Sequence, residues 1–155
     1  EISCWGSDAH EQRLPEGQYH RMATGSHNVC GTTLDSDELV CAGADFSGQS
    51  SPPQGVAVDA LDLSGERGCA IIDERSQVSC WGKKATEAPD FELSLLDVAV
   101  GEDFTCVLVE DGTLSCWGDL EVESEGPWVQ VEAGEGHACA LADDGLMQCW
   151  GFPGL

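Results

Sequence analysis

The sequence predicts an all-β fold built from repeated two-stranded hairpins, and three observations carry that prediction. The tripeptide Cys-Trp-Gly recurs along the chain, a second cysteine stands ten or eleven residues ahead of most copies, and turn-forming residues fill the interval. The copies are Cys4-Trp5-Gly6, Cys80-Trp81-Gly82, Cys116-Trp117-Gly118 and Cys149-Trp150-Gly151, with a variant at Cys41-Ala42-Gly43, at successive spacings of 37, 39, 36 and 33. A fixed period in this range is the mark of a repeat architecture in which each unit is one supersecondary element. The units are hairpins near 25–43, 65–82, 101–118 and 134–151, with a partial unit at 1–6, in one domain spanning 1–155.

The interval between the cysteines fixes the hairpin geometry. In Cys139 to Cys149, a three-residue loop Asp143-Asp144-Gly145 places Ala142 opposite Leu146 and Cys139 opposite Cys149. Gly145 falls where such a loop needs a left-handed residue. Cys106 to Cys116 reads the same way, with Glu110-Asp111-Gly112 as its loop and Gly112 as its left-handed residue. The other two pairs are separated by 11, which asks for an even-numbered loop: Asp35-Ser36 between Cys30 and Cys41, and Asp73-Glu74-Arg75-Ser76 between Cys69 and Cys80. Residues opposed at a non-hydrogen-bonded antiparallel position lie about 4.5 Å apart at Cα, within the span of a disulfide. Four cross-strand disulfides are therefore expected: Cys30–Cys41, Cys69–Cys80, Cys106–Cys116 and Cys139–Cys149. Zinc is the competing use of such cysteines, but the spacing is not Cys-x-x-Cys and the pairs recur singly. Cys4 is left unpaired, because the first Cys-Trp-Gly has no upstream partner in the sequence.

Alternation says which faces are covered. Two residues before each second-strand cysteine stand Ile2, Leu39, Val78, Leu114 and Met147, all apolar, so that face is expected to be buried. The adjacent positions carry Trp5, Trp81, Trp117 and Trp150, so the opposite face is expected to be covered too. Strands apolar on both faces belong inside stacked sheets, as in the blades of a β-propeller. Apolar runs at Val56-Ala57-Val58, 95–100 and 128–131 read as the strand entering each hairpin, whereas 7–19 shows little pattern. Gly and Pro interrupt every candidate for a longer amphipathic helix.

Composition narrows function. Six basic residues against 29 acidic ones give a net charge of −23, spread along the chain. Such a field repels phosphate backbones and anionic membrane surfaces and favours a basic or cation-bridged protein partner. No stretch reaches the roughly 20 apolar residues of a membrane span, and residues 1–5 have no signal-peptide pattern. Eight of the nine cysteines stand in regular pairs, which points to an oxidising compartment: secreted, cell-surface or periplasmic.

The run Gly134-Glu-Gly-His137-Ala-Cys139-Ala-Leu141, followed by Asp144-Gly145 and Cys149-Trp150-Gly151, resembles the repeats of the regulator of chromosome condensation family, in particular its disulfide-bearing variety from secreted bacterial proteins. The family's Gly-x-Asn-x-x-Gly-Gln segment is matched once, as Gly43-Ala-Asp45-Phe-Ser-Gly48-Gln49, with Asp in place of Asn. The resemblance implies a β-propeller of about seven four-stranded blades, so four units plus an orphan strand imply part of a larger ring or closure by oligomerisation. It gives His137 a structural turn role, shared with His27, and implies a protein-binding module whose ligand is chosen by variable loops. The cysteines and the acidity fit poorly with a nuclear, nucleosome-facing role.

The sequence carries few residues in patterns that perform chemistry. No Gly-x-Ser-x-Gly, His-Glu-x-x-His, phosphate-binding loop or EF-hand loop is present, and no enzyme activity or cofactor is expected. Asp143-Asp144 and Glu102-Asp103 could bind calcium weakly at the rim. The repeat tryptophans are expected to pack against the hairpins, while Trp128, outside the repeat, is a candidate binding residue together with Glu102 and Asp103. The reading is a non-enzymatic extracellular scaffold that presents acidic rim loops to a protein. The alternatives are a surface or filament subunit joined through the edge strands Ile2–Trp5 and Gln148–Gly151, and a lectin-like sugar binder using Trp128.

Overall fold

The structure is a computed structural model that describes residues 5, 6 and 8–151. Cys4 and most of the orphan strand Ile2–Gly6 therefore lie outside the described residues. All described secondary structure is β. Four antiparallel sheets follow one another along the chain. The first blade is β1 (Tyr19–Thr24), β2 (Asn28–Thr33) and β3 (Leu39–Gly43), and the second is β4 (Val58–Ser64), β5 (Arg67–Ile72) and β6 (Gln77–Gly82). The third is β7 (Leu95–Val100), β8 (Phe104–Val109), β9 (Leu114–Gly118) and the short β10 (Val122–Ser124). The fourth is β11 (Trp128–Ala133), β12 (His137–Ala142) and β13 (Met147–Gly151). The leading strands β1, β4, β7 and β11 meet one another between sheets, which puts them innermost and fans the later strands outward. This is an open, partial β-propeller.

Within each blade the second and third strands pair in the register that opposes the cysteines. The four disulfides are formed in the structure as Cys30–Cys41, Cys69–Cys80, Cys106–Cys116 and Cys139–Cys149, at Cα separations of 4.0–4.1 Å. The loops Glu110–Gly112 and Asp143–Gly145 are the expected three-residue turns, closed by Gly112 N–H to the Val109 carbonyl and Gly145 N–H to the Ala142 carbonyl. Gly112 has φ +86°, and a Cβ there would stand 2.2 Å from the Gly126 carbonyl oxygen, so glycine is required twice over. Between β5 and β6 the loop is Asp73–Ser76, as expected. The first blade departs from expectation: Thr33 N–H bonds to the Glu38 carbonyl, making the loop the four residues Leu34 to Asp37 rather than Asp35-Ser36 alone. Leu34 is exposed and Asp37 takes φ +52°, a conformation that Asp tolerates better than most residues.

Each leading strand carries a register shift at one place, between Tyr19 and Arg21, Val58 and Ala60, Leu95 and Asp97, and Trp128 and Gln130. One extra residue flips the alternation midway through the strand. These segments therefore read as weak apolar runs. The strand expected at Val56–Val58 runs instead from Val58 to Ser64, and Tyr19–Thr24 is a strand whose burial alternates residue by residue although its sequence shows no simple apolar alternation.

The blades stack through two unlike faces. The trailing face holds the disulfide; the leading face holds the repeat tryptophan and small residues. Cys30, Leu39 and Cys41 of the first blade pack on Val58, Ala70, Ile72 and Trp81 of the second. Cys69 and Ile71 of the second pack on Leu95, Val98, Val107 and Trp117 of the third. Cys106, Leu108, Leu114 and Cys116 of the third pack on Trp128, Ala138, Ala140, Ala142 and Trp150 of the fourth. Two positions escape the expected burial. Met147, the counterpart of buried Leu39 and Leu114, is 64% exposed, because no blade among the described residues covers the fourth trailing face. Trp5, expected to pack as the other repeat tryptophans do, is 92% exposed.

Two stability measurements follow. Replacing Cys69 and Cys80 together by alanine should lower unfolding free energy by about 2–3 kcal/mol, the entropy of the short loop the bond closes. Leu114→Ala, at a fully buried site between the third and fourth blades, should cost about 2–5 kcal/mol in a urea titration, whereas Met147→Ala should cost under about 1.

Candidate binding rim

The turns that join each leading strand to the next strand all emerge at one end of the molecule, where the segments leaving each third strand also start. They are tied together by a repeated bond: Ala44 N–H donates to the His27 carbonyl, Lys83 N–H to Glu66, and Asp119 N–H to Asp103. Neighbouring blades are bridged here as well, by Ser26 N–H to the Gly65 carbonyl and Glu102 N–H to the Glu135 carbonyl. The rim is thus a hydrogen-bonded backbone ledge, bridged between the first and second blades and between the third and fourth, from which side chains project.

Beneath the ledge, the residue two places before the first cysteine of each pair differs from blade to blade: Asn28, Arg67, Phe104 and His137. Three of the four, Asn28, Phe104 and His137, lie against their own turn glycine, whereas Arg67 does not. The Phe104 ring lies where a Cβ on Gly101 would be, at 2.0 Å, and the His137 ring does the same to Gly134 at 2.6 Å. His137 therefore packs against its turn glycine. His27 is one residue earlier in its repeat than His137; it is exposed, and its ring meets that of His10 edge-on at 4.7 Å.

The loop 43–51 locks the first two blades. The Gln49 carbonyl accepts from Asn28 Nδ2 at 2.8 Å and from Trp81 Nε1 at 3.0 Å, so one buried oxygen ties side chains from successive blades. The Asp45 carboxylate accepts from Ser50 N–H at 2.8 Å and from the Ser51 hydroxyl at 2.7 Å, which holds the loop's bend without the usual Asn. At the loop tip Phe46 is 81% exposed, facing His10 at 6.2 Å.

Charge is unevenly placed on this rim. Glu66, Glu102, Asp103, Asp119 and Glu135 line it, with Lys83 and Lys84 among them. Lys84 Nζ pairs with Asp103 at 2.6 Å, and the bond to that carboxylate pushes the ammonium above its ordinary range. Arg67 is buried between the second and third blades, with Nη2 donating to Thr105 Oγ1 at 2.7 Å and to Thr86 Oγ1 at 3.4 Å. Its burial pulls its pKa down, against the upward pull of Asp103 and Asp119. Further in, Asp62 of β4 accepts from Val100 N–H of β7 at 2.7 Å, a bond between blades. Burial pushes Asp62 up to about 6 despite that bond, and the carboxylates of Glu132 and Asp97 add to the rise. Asp97 is likewise raised, chiefly by burial.

The binding residues expected from sequence fare differently. Glu102 and Asp103 stand together on the rim, Glu102 exposed and Asp103 half-buried beside Lys84. Trp128 is only 8% exposed and packs edge-on against Trp150 at 5.6 Å, so it offers no stacking face to a sugar. Its place at the start of β11, directed at the third blade, makes it a core residue. Asp144 Oδ1 accepts from Leu146 N–H and is occupied by the turn. Among the described residues no group of three or more His, Cys, Asp or Glu is arranged to hold a metal. Sequence reasoning missed Phe46, since no spacing marks a residue whose only distinction is exposure at a loop tip.

Comparison with known proteins agrees with this architecture. The profile described as the regulator of chromosome condensation (RCC1) repeat matches residues 96–119 and 128–153, the third and fourth blades. The CRINKLY WD40 ectodomain of the Arabidopsis thaliana receptor kinase ACR4 is similar at 25% identity and TM-score 0.75, over 88% of this chain and 52% of that one. The ectodomain of the Physcomitrella patens receptor kinase CR4 is similar at 24% identity and TM-score 0.79, over 89% and 40%. Prp20p of Saccharomyces cerevisiae, studied with its binding to Gsp1p and histones, shares the fold at 18% identity and TM-score 0.68, over 84% and 44%. The chain spans about half or less of the length of these structures.

The ionisation of Asp62 makes a prediction with a definite sign. Its folded pKa is above its unfolded one, so its stabilising contribution is complete below about pH 4 and is lost as pH rises through about 6. Asp62→Asn keeps an oxygen for Val100 N–H and removes the charge. It should therefore raise Tm at pH 7.5 by roughly a few degrees and leave it unchanged at pH 4. Joined by its inter-blade bonds and stapled by its disulfides, the chain is a partial β-propeller whose third and fourth blades match the regulator of chromosome condensation (RCC1) repeat.

Proposed function

We propose that this chain is a non-enzymatic extracellular scaffold that binds a basic protein segment on the rim formed by residues 25–27, 43–51, 65–66, 101–103 and 134–136. The observation that carries the reading is the combination on one ledge of a rigid, hydrogen-bonded backbone, an exposed apolar tip at Phe46 and a line of carboxylates at Glu66, Glu102 and Glu135. A held backbone loses little entropy on binding, and an aromatic anchor ringed by charge is the usual make-up of a protein-recognition patch. The net charge of −23 steers basic partners to it and turns polyanions away. Four disulfides and likeness to two receptor ectodomains support placement outside the cell.

A peptide array graded by net charge, probed with the oxidised chain at physiological salt, tests the reading. Basic peptides containing an apolar residue should be retained. Phe46→Ala should weaken that retention about tenfold, and the triple reversal Glu66→Lys, Glu102→Lys, Glu135→Lys should abolish it. Equal retention of acidic and basic peptides would refute it.

A further inference from the structure

The second blade lies inside the chain, with a neighbour on each side, yet the outer edge of its sheet is open. Its last strand, β6, pairs only with β5. In the third blade the corresponding strand, β9, is also paired with β10, Val122 opposite Cys116 and Ser124 opposite Leu114. The Cα separation of 4.1 Å between Cys69 and Cys80 marks a non-hydrogen-bonded pair. The N–H and C=O of Cys80 and, two residues earlier, of Val78 therefore point away from β5, as those of Cys116 and Leu114 point from β8 toward β10. Among the described residues the backbone groups of Val78 and Cys80 meet no such partner, and both residues are half-buried.

The segment placed to close this edge is held away from it. In the third blade the residues four to six after Gly118 are Val122–Ser124 of β10; in the second, the residues four to six after Gly82 are Thr86, Glu87 and Ala88, which form no strand. Thr86 Oγ1 is bound by the buried Arg67, at 3.4 Å. Pro89 has no N–H to give to a ladder. Phe91 packs against Trp117 of the third blade, ring centroids 6.0 Å apart. Between this arch and β6 lies a cavity of about 490 Å³, with Val78, Ser79 and Cys80 on one side and Glu87, Pro89 and Asp90 on the other.

We propose that the open edge of β6 takes an extended basic segment of a partner polypeptide as the fourth strand of the second blade. Backbone bonds to Val78 and Cys80 supply affinity, and side chains at alternate positions supply choice, as in strand addition generally. The choice follows from β10. Val122, opposite Cys116, packs on the core between the third and fourth blades, so the residue opposite Cys80 is an apolar one. The carboxylates of Glu87 and Asp90, in a chain of net charge −23, select Lys or Arg between the apolar positions. No residue lining this slot belongs to the rim, so the two surfaces are separate.

A fluorescein-labelled peptide of alternating Lys and Val, titrated into the oxidised chain by anisotropy, tests this beside two versions N-methylated at every Val or at every Lys. Because the valines face Val78 and Cys80, methylating them should weaken binding at least about tenfold, and methylating the lysines by less than about threefold. Amide hydrogen exchange at Val78 and Cys80, followed by NMR, should slow when the unmethylated peptide binds. The double variant Glu87→Lys, Asp90→Lys should weaken binding about tenfold, and Phe46→Ala should leave it unchanged. Equal loss with the two methylated peptides, or exchange at Val78 and Cys80 that ignores the peptide, would overturn the proposal. So would slow exchange of those amides in the free chain: constant with concentration it assigns the edge to residues 85–90, and rising with concentration to a second copy. Binding lost in Phe46→Ala would place the peptide on the rim, overturning the edge assignment while the rim reading stands.

Discussion

The structure depends on one contact made repeatedly: a cross-strand disulfide, flanked by apolar residues, pressed against the tryptophan-bearing face of the following blade. A three-stranded sheet of this size has little interior of its own, and isolated hairpins are marginal in water. The disulfide removes the hairpin's freedom to fray, while the next blade supplies the second half of its core. Neither suffices alone. A bond in an exposed hairpin would hold two strands that bury nothing, and an unlinked hairpin would have to be ordered entirely by a neighbour that is itself ordered the same way.

Polar groups set the angle and spacing that the apolar faces leave free. The Gln49 carbonyl, taken by Asn28 and Trp81, and the Asp62 carboxylate, taken by Val100 N–H, are bonds between blades rather than within them. They are directional where apolar packing is not. Arg67 belongs to this class, since it reaches Thr105 of the next blade from a buried position. The blade interfaces thus vary in their locking residue while keeping one backbone plan, which is how a repeat array accommodates Asn28, Arg67, Phe104 and His137 at one position.

The same plan separates stability from recognition. Core positions are spent on blade contacts, including Trp128, whose isolation in the sequence suggested a surface role. Exposed character is concentrated in the loops at the two ends of the strands, and there the acidic residues collect. A rim whose turns are hydrogen-bonded to the segments leaving the third strands can vary its side chains at little cost to the fold. Phe46 illustrates this: the loop beneath it is held by Asp45 and Gln49, and the tip itself makes no contribution to the core.

Periodic features were legible in the sequence because they are set by local geometry. The ten- and eleven-residue cysteine spacings fixed the strand register and the disulfides, and Asp-Gly fixed the three-residue turns, since each is decided by residues within one hairpin. The leading strands were only partly legible, because a one-residue bulge interrupts their alternation. Which faces are covered was decided by the tertiary structure alone. Leu114 and Met147 occupy the same register and are both apolar, yet one is buried and the other exposed, because burial belongs to the neighbour and not to the strand. The same holds for Trp128 and Phe46: two aromatic residues outside the repeat, one turned into a blade contact and one left at a loop tip, by packing that spans positions far apart in the chain.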